Sequence, residues 1–360
     1  MSRAIRLLVL LLGLWGVAAA AQQQGAAASS GGPQPQNILE ASRNDQAARQ
    51  KVQPLNNAPI WREANSAASG FTNLPEHEGG VLIQSAGEDW RQLRNGPVTV
   101  YGGWALVAVL LLIAAYYLLH GPIRTSGQPT GRAIERFTMV ERAAHWINAA
   151  CFVVLGLTGI LMLFGKHLLL PVFGYTLFSI LATLSKTVHN FVGPLFAVTL
   201  IAMFLTYVKD NFPRAYDFTW LLKGGGMLSR NVHVPSHRFN GGEKLMFWGG
   251  LVLLGTIVAV TGFILDFPNY GQTRGQMQDA WAIHAIAALL FIAVIMGHIY
   301  LGTIGMQGAL DAMKTGYVDE AWAKEHHAYW YDDIKAGKIP AQRSAQGEAR
   351  AAGSAAQAQG

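Results

Sequence analysis

Apolar positions along the chain are gathered into five long runs, at about residues 100–119, 143–164, 188–208, 245–265 and 283–303. A helix needs about 20 residues to cross the apolar part of a bilayer, so each run predicts one crossing. Open strands leave backbone groups unsatisfied in lipid, which makes helices the only reading for runs of this length. The expected fold class is therefore an all-α membrane protein with five transmembrane helices. Ahead of these runs the pattern is different. Residues 1–21 combine Arg3 and Arg6, an apolar stretch from Leu7 to Val17 and small residues from Ala18 to Ala21, the pattern of a secretory signal peptide. Residues 22–57 are rich in Ala, Gln, Gly, Ser and Pro and predict disorder. Residues 59–94 carry scattered apolar side chains, including Trp61, Phe71 and Trp90, too few for a core of their own. The expected organisation is a signal peptide (1–21), an arm (22–98), a leading helix (99–120), a four-helix unit (132–310) and a tail (311–360).

Composition sharpens this picture. The 360 residues are 51% apolar and only 13% charged, with a mean hydropathy of +0.24, as a membrane protein requires. Cys151 is the only cysteine, which excludes an internal disulfide and argues against a cysteine-held metal cluster in this chain. A pI near 9.4 suggests nucleic acid at first sight, but the basic residues fall in loops between apolar runs and obey the positive-inside rule instead. Segments 120–142, 209–244 and 311–360 hold sixteen Lys and Arg, against three in 166–186 and 266–279. The first set is expected in the cytoplasm of a bacterial inner-membrane protein, with the N-terminal arm periplasmic and the C-terminus cytoplasmic.

Two histidines interrupt the last apolar run. His284 and His298 are fourteen residues apart in a stretch with no formal charge from Ala280 to Leu310. At about 100° per residue they leave one helix face, separated along the axis by about 21 Å. Polar side chains inside a membrane are costly and call for a function. The predicted topology sorts the others by depth. His145, near the start of the second run, lies at the depth of His298, while His189, near the start of the third, lies at the depth of His284. Two pairs at two depths suit two stacked bis-histidine b haems, in which neutral imidazoles bind iron and occupy both axial positions, so that the haem transfers electrons and takes no substrate. Gly193 and Gly297 stand beside ligands where a flat macrocycle needs room, and Pro194 is expected to bend its helix. His120 is a rival to His145. His77, His167, His233 and His237 read as loop residues, and His326 and His327 as surface residues.

Asn240-Gly-Gly-Glu-Lys244 precedes an apolar run, so Asn240 and Glu243 read as a helix capping box, with the N–H groups of Gly241 and Gly242 at its start. Gly224-Gly-Gly226 lacks the ending of a phosphate loop and reads as a turn. Thr158-Gly159 and Thr261-Gly262 recur on two helices of the same direction, a faint internal echo.

These stretches together resemble the gamma (cytochrome b) subunit of membrane-bound formate dehydrogenase, in its long form with a signal peptide, a periplasmic arm and one extra leading helix. The resemblance rests on Arg136-Phe-Thr-Met-Val-Glu-Arg-Ala-Ala-His-Trp146, His189-Asn-Phe-Val-Gly193 and Trp220-Leu-Leu-Lys-Gly-Gly-Gly226. It continues through Arg238-Phe-Asn-Gly-Gly-Glu-Lys-Leu-Met-Phe-Trp248, the histidines of the last run and Trp322-Ala-Lys-Glu-His-His327, covering about residues 132–332. It implies a di-haem bundle of the last four helices, with His145, His189, His284 and His298 as haem-iron ligands and two haem b as cofactors. It implies electron delivery from a periplasmic iron–sulfur (beta) subunit, fed by a catalytic (alpha) subunit that oxidises formate, to membrane quinone during anaerobic respiration. The implied quinone-binding residues are Asn240, Gly242, Glu243 and His298; the family often has Gln where Glu243 stands. No formate-oxidising site is expected on this chain. A di-haem cytochrome b of a hydrogenase or thiosulfate reductase, and a haem-free anchor or transporter, are the alternatives.

Overall fold

The chain is described from a computed structural model, over residues 85–226 and 234–344 together with Ala48, 70–71 and 81–83. The expected signal peptide lies outside the described residues, as does nearly all of the 22–57 stretch. The chain divides into two units, Met1–Arg91 and Gln92–Gly360. In the first, β1 (Gly70–Phe71) pairs antiparallel with β2 (Val81–Ile83), and α1 (Ser85–Leu93) begins.

Among the described residues five helices are long and apolar enough to cross a membrane: Gly87–His120, which begins in the first unit, and Met139–Leu168, Leu170–Asp210, Gly241–Asp266 and Arg274–Gly305 in the second. Within them we label α2 (Thr99–His120), α3 (Met139–Leu168) and α4 (Leu170–Tyr207). After the short α5 (Ala215–Leu222) come α6 (Gly241–Asp266) and α7 (Arg274–Tyr300). Three of the spanning helices overshoot their apolar runs because a cap, and not hydropathy, sets where they start. Thr138 with Glu141, Asn240 with Glu243, and Thr273 with Gln276 form reciprocal capping boxes at the starts of α3, α6 and α7. In α4 the one residue outside helical backbone is Gly174, at φ 71°, where a short leading turn joins the spanning helix. Pro194 sits inside continuous helix, so the marked break is not where the proline predicts it.

Helices α3 and α4 form one antiparallel pair, and α6 and α7 another. Large apolar side chains on the bundle, among them Leu157, Phe191, Ile201, Leu253 and Leu290, are exposed, as a lipid-facing surface requires. At mid-height Phe291 is 2% exposed and packs on Phe152 at 4.7 Å between ring centroids, with Phe196 beyond it at 6.2 Å from Phe152. A buried polar tie, Thr199 Oγ1 donating to Asn148 Oδ1 at 3.0 Å, joins α4 to α3.

The stretch expected as a tail is folded over the end of the bundle. After α8 (Ala309–Thr315), β4 (Tyr317–Asp319) pairs antiparallel with β3 (Ala133–Glu135), Ile134 opposite Val318. Then α9 (Glu320–His326) and α10 (Ala328–Lys335) bury Trp322 and Trp330 against the start of α3 and the 234–240 segment. His327, expected at the surface, is 1% exposed. Its Nδ1 lies 2.6 Å from the His237 carbonyl and 3.2 Å from Ser236 Oγ, so the ring is a structural pin where a charged local sequence suggests exposure.

Candidate functional site: two histidine pairs in the bundle

The helices bring the four predicted histidines together as two pairs. The ring centroids of His145 and His298 are 6.2 Å apart, and those of His189 and His284 are also 6.2 Å apart. Imidazoles that ligate one metal from opposite sides, with metal–nitrogen bonds of about 2 Å, place their centroids about 6 Å apart. At this spacing the rings neither stack nor hydrogen-bond directly. By residue, His145, His189 and His284 are half-buried and His298 is exposed. A Cβ built on Gly193 or on Gly297 meets nothing within 4 Å, which leaves the room beside His189 and His298 that a macrocycle needs. His120, the rival, is engaged elsewhere: it stacks on Tyr116 at 4.6 Å within α2. The residues present fit haem.

The Thr-Gly echo turns out to touch both histidines of one pair. Thr158 Oγ1 on α3 lies 2.9 Å from His189 Nδ1, and Thr261 Oγ1 on α6 lies 3.0 Å from His284 Nδ1. Each hydroxyl also donates to a carbonyl one turn back, Thr158 to Val154 at 2.8 Å and Thr261 to Ile257 at 2.6 Å. A hydroxyl has one proton, so towards the ring each threonine accepts, and Nδ1–H is the donor. The lone pair of each imidazole is then on Nε2. At the other pair, His145 Nδ1 is buried and has no hydrogen-bond partner among the described residues.

The residues assigned to quinone form the cap of α6. Asn240 Oδ1 accepts from the Glu243 N–H at 2.9 Å, and Glu243 Oε2 accepts from the Asn240 N–H at 2.9 Å. Gly242 is packed under Trp220, where a Cβ would come within 2.8 Å of the ring. Gly224, Gly225 and Gly226 all have positive φ, so that run is the expected turn.

Sequence reasoning missed what joins these caps. Arg136-Phe-Thr-x-x-Glu141 and Arg238-Phe-Asn-x-x-Glu243 are the same motif, and their ion pairs are exchanged. Arg136 Nη2 donates to Glu243 Oε1 at 2.8 Å, while Arg238 Nη2 donates to Glu141 Oε2 at 2.7 Å. Each guanidinium also donates to the other arginine's carbonyl, Arg136 to Arg238 O at 2.9 Å and Arg238 to Arg136 O at 2.7 Å. Arg343 adds a second cation to Glu141 at 2.7 Å, and Asp210 pairs with Arg238. The Glu141 side chain is 8% exposed and that of Glu243 35%, so Glu243 is the less committed acid. The signal was present in the repeated Arg-Phe and the shared cap spacing.

Comparison with known proteins gives the family. The family model of prokaryotic cytochrome b561 matches residues 136–316, which takes in both motifs and all four histidines. The chain belongs to the prokaryotic cytochrome b561 family. It is a membrane cytochrome b electron-transfer subunit, and the cofactor of that family is haem b. It is 32% identical over 206 residues to the formate dehydrogenase cytochrome b556(fdo) subunit of Escherichia coli K12, covering 56% of this chain and 93% of that protein. The nitrate-inducible formate dehydrogenase cytochrome b556(Fdn) subunit of the same organism is 31% identical over 209 residues, covering 57% and 93%. A formate dehydrogenase cytochrome b556 subunit of Haemophilus influenzae is 28% identical over 212 residues, covering 57% and 85%.

Proposed function

We propose that this cytochrome holds two b haems, one between His145 and His298 and one between His189 and His284, and carries electrons through the membrane from formate oxidation to quinone. The observation that carries the reading is the paired 6.2 Å spacing at both sites. When bound, haem at each site supplies reversible one-electron transfer. The chain's part is to hold four neutral imidazoles, to fix their orientation, and to keep the space between the pairs dry with Phe152, Phe196 and Phe291.

The relatives named as formate dehydrogenase subunits support the assignment of partners: a catalytic (alpha) subunit that oxidises formate and an iron–sulfur (beta) subunit that passes its electrons on. The loop charges, sixteen Lys and Arg against three, support an inner-membrane orientation with the arm periplasmic and the C-terminus cytoplasmic. Electrons would then enter at the His189–His284 pair and leave at the His145–His298 pair, where Asn240, Gly242, Glu243 and His298 receive quinone. Asn240 and Glu243 already serve the cap, so their contribution there is to aim the first turn of α6, whose leading N–H groups have no partner within the helix. Glu243, the more exposed acid, is placed to pass protons to reduced quinone.

The test is a reduced-minus-oxidised spectrum with pyridine haemochrome quantitation on the purified complex. Two b haems per chain are expected, with formate reducing both and added quinone reoxidising them. A chain that folds with its partners and binds no haem would overturn the reading in favour of a haem-free anchor.

A further inference from the structure

We infer that Thr158 and Thr261 are positioning residues for the axial histidines of one haem only, fixing the tautomer and ring orientation of His189 and His284. This rests on the haem reading above. The same device occurs twice on different helices. In each, a threonine hydroxyl spends its proton on the carbonyl one turn back and presents its lone pair to the imidazole Nδ1–H, at 2.9 Å and 3.0 Å.

In each, the glycine that follows the threonine lies beside the same ring. A Cβ on Gly159 would stand 3.6 Å from His189 Cε1, and one on Gly262 would stand 3.4 Å from His284 Cε1. The glycine brings the threonine helix up to the edge of the imidazole, and the threonine then stops the ring from turning. Neither Thr nor Gly is needed in this order for the helix itself, and Gly in a helix interior is unfavourable relative to Ala. That the pair of residues recurs where a histidine crosses it, from another helix in both cases, is what separates it from ordinary helix packing.

A fixed Nδ1–H has two consequences for a ligand. It keeps Nε2 unprotonated, so the lone pair is ready for a metal, and it raises the basicity of that nitrogen, which favours the more oxidised metal. His145 Nδ1, in the other pair, has no such partner among the described residues. The two sites therefore differ in how their ligands are held although their ring spacings are equal.

The test uses the whole complex with its haem in place. Thr158→Val and Thr261→Val remove the hydroxyl and keep the shape; Thr158→Ser and Thr261→Ser restore it. Thr206→Val is the control, since Thr206 Oγ1 donates to the Ala202 carbonyl at 2.6 Å in the same manner but meets no histidine. Potentiometric titration of the visible bands and low-temperature EPR of the ferric haems are the readouts. The expected result is a change in one haem of the two. Its ferric-over-ferrous preference falls by up to about tenfold, a rise of about 59 mV in midpoint potential. Its low-spin EPR signal shifts, the other haem stays as it was, and serine restores both properties. Selective loss of that one haem in the valine variants, reversed by serine, would also support the inference. Unchanged potentials and EPR in both valine variants would overturn it. So would equal effects on both haems, the same effect in the Thr206 control, or a defect that serine does not repair. A wild-type protein without haem would instead overturn the haem reading, which the same spectra report first.

Discussion

The two ends of the bundle solve one problem with different chemistry. At the end of His145 and His298, two Arg-Phe-x-x-x-Glu motifs exchange partners, and charges hold the starts of α3 and α6 together. At the end of His189 and His284, hydroxyls and glycines do the holding, and none of the contacts is ionic. The contrast follows from depth. The arginine clamp lies under a folded polar layer that adds Arg343 to its ion pairs, whereas the threonines face lipid-exposed helices, where an isolated charge would be costly. The ring spacing is the same at both ends, 6.2 Å, so the ends differ chiefly in their supports and in what would disturb them.

The largest expected effect breaks the pairing itself. His284→Ala and His298→Ala each remove one haem of two, from opposite ends, as counted by pyridine haemochrome; loss of both from either substitution would mean that the ends are not independent. Next comes the clamp. Arg238→Met leaves the buried Glu141 with Arg343 as its only cation among the described residues and frees the half-exposed Asp210, and should cost about 3 kcal/mol, read as a lower midpoint in detergent unfolding. Arg136→Met strands only Glu243, whose side chain reaches solvent, and should cost clearly less. Equal costs would remove the asymmetry between the two acids. Smaller again, Thr138→Ala and Asn240→Ala should each lose about 1 kcal/mol of helix cap by the same measurement. Only the second should also raise the KM for quinone, and a rise in neither would argue against a quinone role at α6.

The smallest effect is a pH slope confined to the clamp end. Burial, and then the charge of Arg136, hold the His327 imidazole well below its usual 6.5. The unfolded chain takes up a proton below about 6.5 that the folded layer refuses, so stability from this residue is full above that pH and declines as pH falls below it. Amide protection factors of residues 309–344, taken relative to the slower intrinsic exchange at acid pH, should therefore fall from pH 7 to pH 5, while the His189 end does not respond. His327→Gln should flatten the slope.

Much of the bundle was legible in one dimension. Five apolar runs and two histidines on one helical stripe are local regularities, and depth alone paired His145 with His298 and His189 with His284. What stayed hidden was non-local. Arg136 meets Glu243, 107 residues away, and nothing in either motif says that its arginine is for the other's acid. The Thr-Gly echo was visible, but its meaning needed the third helix that carries each ring past it. The folded layer was missed because its apolar residues, Trp322 and Trp330, are thinly spread among charges, and its two strands are three residues each. His327 was misplaced for the same reason: adjacent histidines in a charged segment suggest water, and only the packing of α9 and α10 on Ser236 removes it.

Phe291 lies seven residues from each histidine of α7, on the same face and midway between them, with Phe152 packed edge-on against it and Phe196 beyond. Such a plug treats two charge carriers unequally. An electron tunnels through packed rings without moving them, but a proton needs a continuous chain of donors and acceptors, and three phenyl groups offer none. On the proposed electron path the middle of the bundle is thus a seal as much as a spacer: it would let reducing equivalents pass while offering protons no route back.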